Sequence, residues 1–224
     1  MARPNTNSSY TTFLKVYTKL FRAFGPQHWW PGDTPFEIMV GAILTQNTNW
    51  RNASAAIGRI KKTGLMDPAR LLAQHHRIPG LIRTSGFYRA KSRYLRAFLR
   101  YYVANYRGKV TGFSGKSTDT IRNELLSIHG IGPETADSIL LYALARRVFV
   151  VDAYTRRIFA RHGFINEKMN YAGLQETIEQ ELPKSTKLYG EYHALLVRAG
   201  KEFCRKNEPL CSNCPLGTML RPAR

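Results

Sequence analysis

Three groups of residues in this 224-residue chain have the types and spacing to do chemistry. The first is Gly130-Ile131-Gly132, set between two apolar segments and followed by Pro133, Glu134 and Thr135. Glycine tolerates the left-handed backbone that a tight turn between helices requires. A turn that runs into a helix N-terminus also presents backbone N–H groups and the positive end of the helix dipole. Such a unit suits a phosphate, and because it would grip a sugar-phosphate chain and no base edge, it would anchor any nucleic-acid sequence. The plainer reading is that the glycines close a helical hairpin and do nothing else. The second group is Asp152, delivered by the apolar run Val148 to Val151 to the start of a helix carrying Ile158 and Phe159. An aspartate there is a helix N-cap, a carboxylate fixed in place for catalysis, or both. The third is Cys204-x6-Cys211-x2-Cys214. Three cysteines cannot make a disulfide framework, and a zinc ion would want a fourth ligand where no histidine is close in sequence.

Charge points to the partner. Lys and Arg number 34 against 15 Asp and Glu, a formal net charge of +19. From Arg51 to Lys109 there are fourteen basic residues and one acid, Asp67, with Phe87, Tyr88, Tyr94, Phe98, Tyr101, Tyr102 and Tyr106 interleaved. Part of this pattern is a solvated helix face with aromatics packed inward, but its one-sidedness favours a nucleic acid over an anionic membrane. No stretch approaches the 18 or so apolar residues of a membrane span, and the first residues lack the apolar core of a signal peptide. An intracellular monomer with no membrane partner is expected.

The elements that must position these groups read as helices throughout. Phe13, Val16, Tyr17, Leu20 and Phe21 mark an amphipathic helix ending near Gly25-Pro26, and Phe36, Met39, Val40, Ile43 and Leu44 mark a second. Further helices are expected around 50–62, 68–75, 78–83, 89–106, 117–127 and 190–203. After the glycine pair, Ala136, Ile139, Leu140, Ala143 and Leu144 fall on one helical face. No alternating strand pattern, internal repeat or low-complexity linker is visible, so the expected fold class is all-α.

The segment Leu125 to Ala136, the hydrophobic run and Asp152 together resemble the helix-hairpin-helix (HhH-GPD) DNA glycosylases of the endonuclease III superfamily. The resemblance extends to Pro35-Phe36-Glu37, to Leu44-Thr45-Gln46-Asn47, to Gly86-Phe87-Tyr88 with Ala90-Lys91, and to the cysteine tail. It implies two helical lobes with a central cleft. Residues 27–146 would form a six-helix lobe containing the hairpin, and 1–26 with 147–224 a second lobe ending in the cysteine loop. Gly130, Ile131, Gly132 and Thr135 would then contact double-stranded DNA, which the resemblance makes the expected partner. Asp152 would stabilise positive charge developing on the deoxyribose and orient the attacking water. Gln46 would fill the space left when the target base is flipped out of the stack.

Two departures from the pattern refine this. Relatives that also nick the strand carry a lysine at the position of Glu134, and a carboxylate cannot form an imine. The resemblance therefore implies a monofunctional glycosylase, with Asp152 and Glu134 as its catalytic-site residues. Endonuclease III relatives also have a fourth cysteine holding a [4Fe–4S] cluster where this chain has Leu220. A cluster on Cys204, Cys211 and Cys214 is thus possible only with three thiolates from the chain. Trp29-Trp30-Pro31, with Trp50 following the polar turn at Gln46, is similar to the endonuclease III-type 3-methyladenine DNA glycosylases. Electron-rich rings hold a cationic alkylated purine by stacking and cation–π attraction. Oxidised pyrimidines, or thymine or uracil in mismatches, are the alternative substrates, and a DNA-binding module without catalysis is the alternative from another class.

Overall fold

The computed structural model describes residues 7–29 and 32–220. Among these the chain is all-α, with eleven α-helices and no strand. They are α1 (Asn7–Phe24), α2 (Pro35–Leu44), α3 (Trp50–Lys62), α4 (Pro68–Ala73), α5 (Ile78–Leu81), α6 (Tyr88–Tyr106), α7 (Thr118–Leu126), α8 (Pro133–Ser138), α9 (Ala153–Arg161), α10 (Tyr171–Glu181) and α11 (Thr186–Glu202). Side chains fix where many of them start. Thr34, Asn49, Asp67, Ser117, Asp152, Asn170 and Ser185 each accept a hydrogen bond from the backbone N–H three residues on. Each such cap is worth about 1 kcal/mol.

The chain divides into two compact units, Trp30–Arg146 and Met1–Trp29 with Arg147–Arg224. In the first, α2 is the central element, buried nearly all round and packed on α3, α6, α8 and the segment after α8. That segment, Ile139–Ala143, is a π-helical continuation of α8, so the expected single regular helix changes pitch midway. Its surroundings also differ from the expected one-faced stripe. Asp137 and Ser138 are buried along with the apolar residues, and Asp137 is fully enclosed in a two-point ion pair with Arg122, at 2.6 and 3.1 Å. In the second unit α11 packs on α9 and α1, and α1 on α10. Phe13, Val16 and Leu20 of α1 are buried, whereas Phe21 is partly exposed and stacks on Tyr17 at 5.7 Å. Helix α10 was not expected from sequence, because only Leu174 and Ile178 give it an apolar signal.

Candidate functional site

The hairpin lies in the Trp30–Arg146 unit, and its two glycines do different jobs. Gly130 has φ +86°, where a side chain is strained, and a Cβ added there would fall inside the Tyr94 ring. Gly132 has φ −94° and ψ 177°, an extended conformation open to any residue, and an added Cβ would meet nothing within 4 Å. The left-handed backbone expected of the pair therefore belongs to Gly130 alone. Gly132 is the exposed N-cap of α8 and makes no side-chain cap hydrogen bond to the start of that helix. Ile131 and Thr135 are buried, so neither side chain covers the turn. Glu134 is exposed in the first turn of α8.

Gln46 belongs to the same arrangement. Its Nε2 donates to the Gly130 carbonyl and to Thr135 Oγ1, both at 2.9 Å. The turn after α2 and the hairpin are thereby tied through one amide. Asn47, next along, is exposed with φ +50°. Trp50 opens α3, is half-buried, and its ring lies over Gly41 of α2. The turn is braced from below by Lys91, 2% exposed, whose Nζ donates to the carbonyls of Leu44 at 2.8 Å and Ser85 at 2.5 Å. Burial brings its ammonium down to about 8. Ser85 ends the short turn before Phe87, a ring 71% exposed at φ +45°. Arg83 and Arg89 flank the neighbouring Tyr88 ring at 5.6 and 6.0 Å. In the sequence Phe87 stands among many aromatics and within the Gly86-Phe87-Tyr88 motif; its exposure on the surface is visible in the fold alone.

In the other unit Asp152 caps α9, with Oδ1 accepting from the Thr155 N–H at 2.7 Å. Its Oδ2 lies 3.6 Å from Nε2 of His193, which is 4% exposed on α11; Asp152 itself is 8% exposed. Burial by itself would push the carboxyl up, but His193 and the Thr155 amide outweigh it and hold Asp152 below the usual carboxylate value. A nearly enclosed anion in a low-dielectric setting acts strongly on any positive charge brought beside it. His193 was missed from sequence because it follows Tyr192 on the apolar side of α11; a histidine on a face otherwise made of Leu195, Leu196 and Ala199 was the available signal. Trp29 is also in this unit, half-buried, with the Lys201 ammonium 5.5 Å from its ring centroid, so one neighbour of that ring is already a cation. Trp30 and Pro31 lie outside the described residues.

Cys204, Cys211 and Cys214 are free thiols lining one small pocket, with Leu220, Phe203, Arg161 and His162 also in its wall. Burial, together with the other two thiols nearby, pushes Cys214 up. Among the described residues no group of three or more His, Cys, Asp or Glu side chains converges on a point where one metal ion would sit. A cluster asks for something different, thiolates spaced round a cavity on separate irons. The described residues supply three thiols to this pocket and no fourth, since the Leu220 side offers only hydrocarbon.

Comparison with known proteins gives the same picture. The pattern of the HhH-GPD superfamily of base excision DNA repair proteins matches residues 40–184. A protein of Methanocaldococcus jannaschii that carries the provisional name DNA repair glycosylase MJ1434 is 46% identical over 212 residues, 93% of this chain and 96% of that one. The solved structure of a non-covalent endonuclease III–DNA complex superposes with a TM-score of 0.80 at 20% identity, covering 95% of both chains. That of the Helicobacter pylori 3-methyladenine DNA glycosylase MagIII bound to 1,N6-ethenoadenine superposes with a TM-score of 0.73 at 25% identity, covering 87% of this chain and 97% of that one.

Proposed function

This chain belongs to the HhH-GPD superfamily of base excision DNA repair proteins and is a DNA repair glycosylase, and from that premise we propose that it is monofunctional and acts on alkylated purines such as 3-methyladenine in double-stranded DNA. The observation that carries the reading is Asp152, a desolvated carboxylate held ionised at the N-terminus of α9. As the base departs, the deoxyribose acquires oxocarbenium character, and an anion already in place stabilises it without reorganisation. The same carboxylate orients the water that completes hydrolysis and leaves an abasic site. A 3-methylated adenine is cationic and leaves readily, so the reaction needs no strong general acid.

The residues of the hairpin unit support the rest. The hairpin at Gly132 grips a phosphate of the DNA, Gln46 and the exposed Phe87 face the disrupted stack, and Trp50 offers a ring to the extruded base. The likeness to MagIII supports the alkylpurine assignment. Monofunctionality rests on Glu134 standing after the hairpin in place of an amine. Lys91, the buried amine of this unit, is spent on two carbonyls and is not a nucleophile. If a cluster binds, Cys204, Cys211 and Cys214 hold it as a shaping element of the loop, with no part in bond cleavage. Absorbance near 400 nm in the purified protein is the check. The chain acts as a monomer on DNA. Borohydride trapping tests the mechanism. The absence of a covalent adduct during base release is expected, and efficient trapping overturns the assignment.

A further inference from the structure

We infer that one polar face of α10, formed by Tyr171, Gln175 and Glu179, is the device that positions the carboxylate of Asp152. The inference rests on the reading of Asp152 as the catalytic anion. Its starting point is an accounting problem. Val148, Phe149, Val150 and Val151 are buried outside any helix, and among the described residues no strand pairs with them. Backbone N–H and C=O groups enclosed in this way need partners. Helix α10 supplies them from side chains. Phe149 N–H donates to Glu179 Oε1 at 2.6 Å, Gln175 Nε2 donates to the Phe149 carbonyl at 2.7 Å, and Val151 N–H donates to the Tyr171 hydroxyl at 3.3 Å.

The spacing explains why a helix can do this. Four residues of helix advance about 6 Å, and two residues of extended chain advance about 6.6 Å. Tyr171 and Gln175 therefore keep step with Val151 and Phe149, in the antiparallel sense, and Glu179, one turn further on, takes the other polar group of Phe149. The helix stands in for a neighbouring strand. Between these rungs Leu174 and Ile178 are buried, so the ladder is fixed along its length. The other side of the run is clamped as well, the Phe149 ring meeting Tyr189 and Tyr192 of α11 edge-on at 5.6 and 5.7 Å. The last rung, at Val151, is one residue before Asp152. The carboxylate thus leaves a backbone held at two of the three preceding residues and enters a cap held by Thr155.

The ladder makes chemically graded predictions. Tyr171→Phe removes one hydroxyl and leaves the Val151 N–H without an acceptor. Gln175→Met removes a donor, whereas Gln175→Glu points a carboxylate at a carbonyl and should be the worse of the two. Glu179→Gln keeps an acceptor oxygen and should be mild, while Glu179→Leu removes it. A displacement of about 1 Å at a reacting group can cost around a hundredfold in rate. The single-turnover excision rate with enzyme in excess should therefore fall at least about tenfold in Tyr171→Phe, Gln175→Glu and Glu179→Leu, and within about threefold in Glu179→Gln. The dissociation constant for the same duplex should stay within about twofold, because no variant touches the hairpin. Hydrogen exchange at the Phe149 and Val151 amides should accelerate in the severe variants, a readout that holds whatever base the enzyme removes. Unchanged rates, rates and affinities falling in proportion, Gln175→Glu outperforming Gln175→Met, or rapid exchange of both amides in the unaltered protein would each overturn the inference. Failure of the unaltered protein to release any base would instead strike at the proposed function and leave the exchange result standing.

Discussion

The two hairpin glycines should separate stability from DNA binding, and the structure gives the size of each effect. At Gly130 an alanine must hold φ near +86°, which costs an L-residue about 1–2 kcal/mol. Its methyl also collides with the Tyr94 ring, and forcing a side chain aside in packed surroundings costs about 1–3 kcal/mol more. Gly130→Ala should therefore lose roughly 2–5 kcal/mol. At about 2–4 °C per kcal/mol for a chain of this size, the melting temperature should fall by roughly 4–20 °C. Gly132→Ala is the opposite case. Its φ of −94° is ordinary and nothing lies within 4 Å of the new methyl. Removing a glycine from the unfolded chain should then leave stability unchanged or raise it by up to about 1 kcal/mol. The methyl nevertheless occupies the space into which a phosphate would come to reach the α8 N–H groups, so DNA affinity should drop at least about tenfold. Thermal melts and fluorescence anisotropy on a labelled duplex read the two quantities separately. Gly132→Ala binding DNA as tightly as the unaltered protein would refute the phosphate-grip account. Gly130→Ala melting no lower than Gly132→Ala would refute the packing argument.

Other outcomes follow from the same geometry. Asp152→Asn keeps a cap for α9 but removes the anion, so base excision should fall by orders of magnitude with duplex affinity largely kept; a fall in both together would make Asp152 structural. The depressed ionisation of Asp152 also predicts that excision persists as pH is lowered through the usual carboxylate range and fails only below it, which a single-turnover pH profile measures. Trp50→Ala should impair excision of 3-methyladenine more than general duplex binding, and equal losses would assign Trp50 to packing on Gly41. Glu124, despite partial burial that would raise it, is brought to about 2 by Lys116, Tyr101 and Tyr106. A carboxyl with a folded value near 2 against 4.5 unfolded contributes roughly 3 kcal/mol, present above pH 4.5 and lost as pH falls from 4.5 towards 2. Glu124→Gln should lower the melting temperature at neutral pH and flatten its decline across that window, and an unchanged acid transition would contradict the assignment.

What could be read from the chain alone follows the physics of each element. Helices with an apolar stripe, such as α2 and α6, were legible because burial of one face writes itself into the period of the sequence. Helix α10 was not, because the face it turns inward is Tyr171, Gln175 and Glu179, side chains that look like solvent until the buried run they satisfy is in view. The site was legible where a residue type is unusual for its place. Asp152 at the end of an apolar run and Glu134 after the glycines both stand out. Lys91 sat in a recognisable motif, yet its buried contacts with Leu44 and Ser85 join turns about forty residues apart and leave no local trace. The difference between Gly130 and Gly132 is a matter of φ and of Tyr94, neither of which the letters carry.

One carboxylate promoting hydrolysis of a single class of glycosidic bond is the central claim, and one measurement meets it head-on. Alkylated genomic DNA is incubated with the protein, and the released bases are identified while strand integrity is followed. Free 3-methyladenine should accumulate in amounts matching new abasic sites, with strands intact until alkali is added. Release of oxidised pyrimidines with concurrent nicking, or of no base at all, would contradict it.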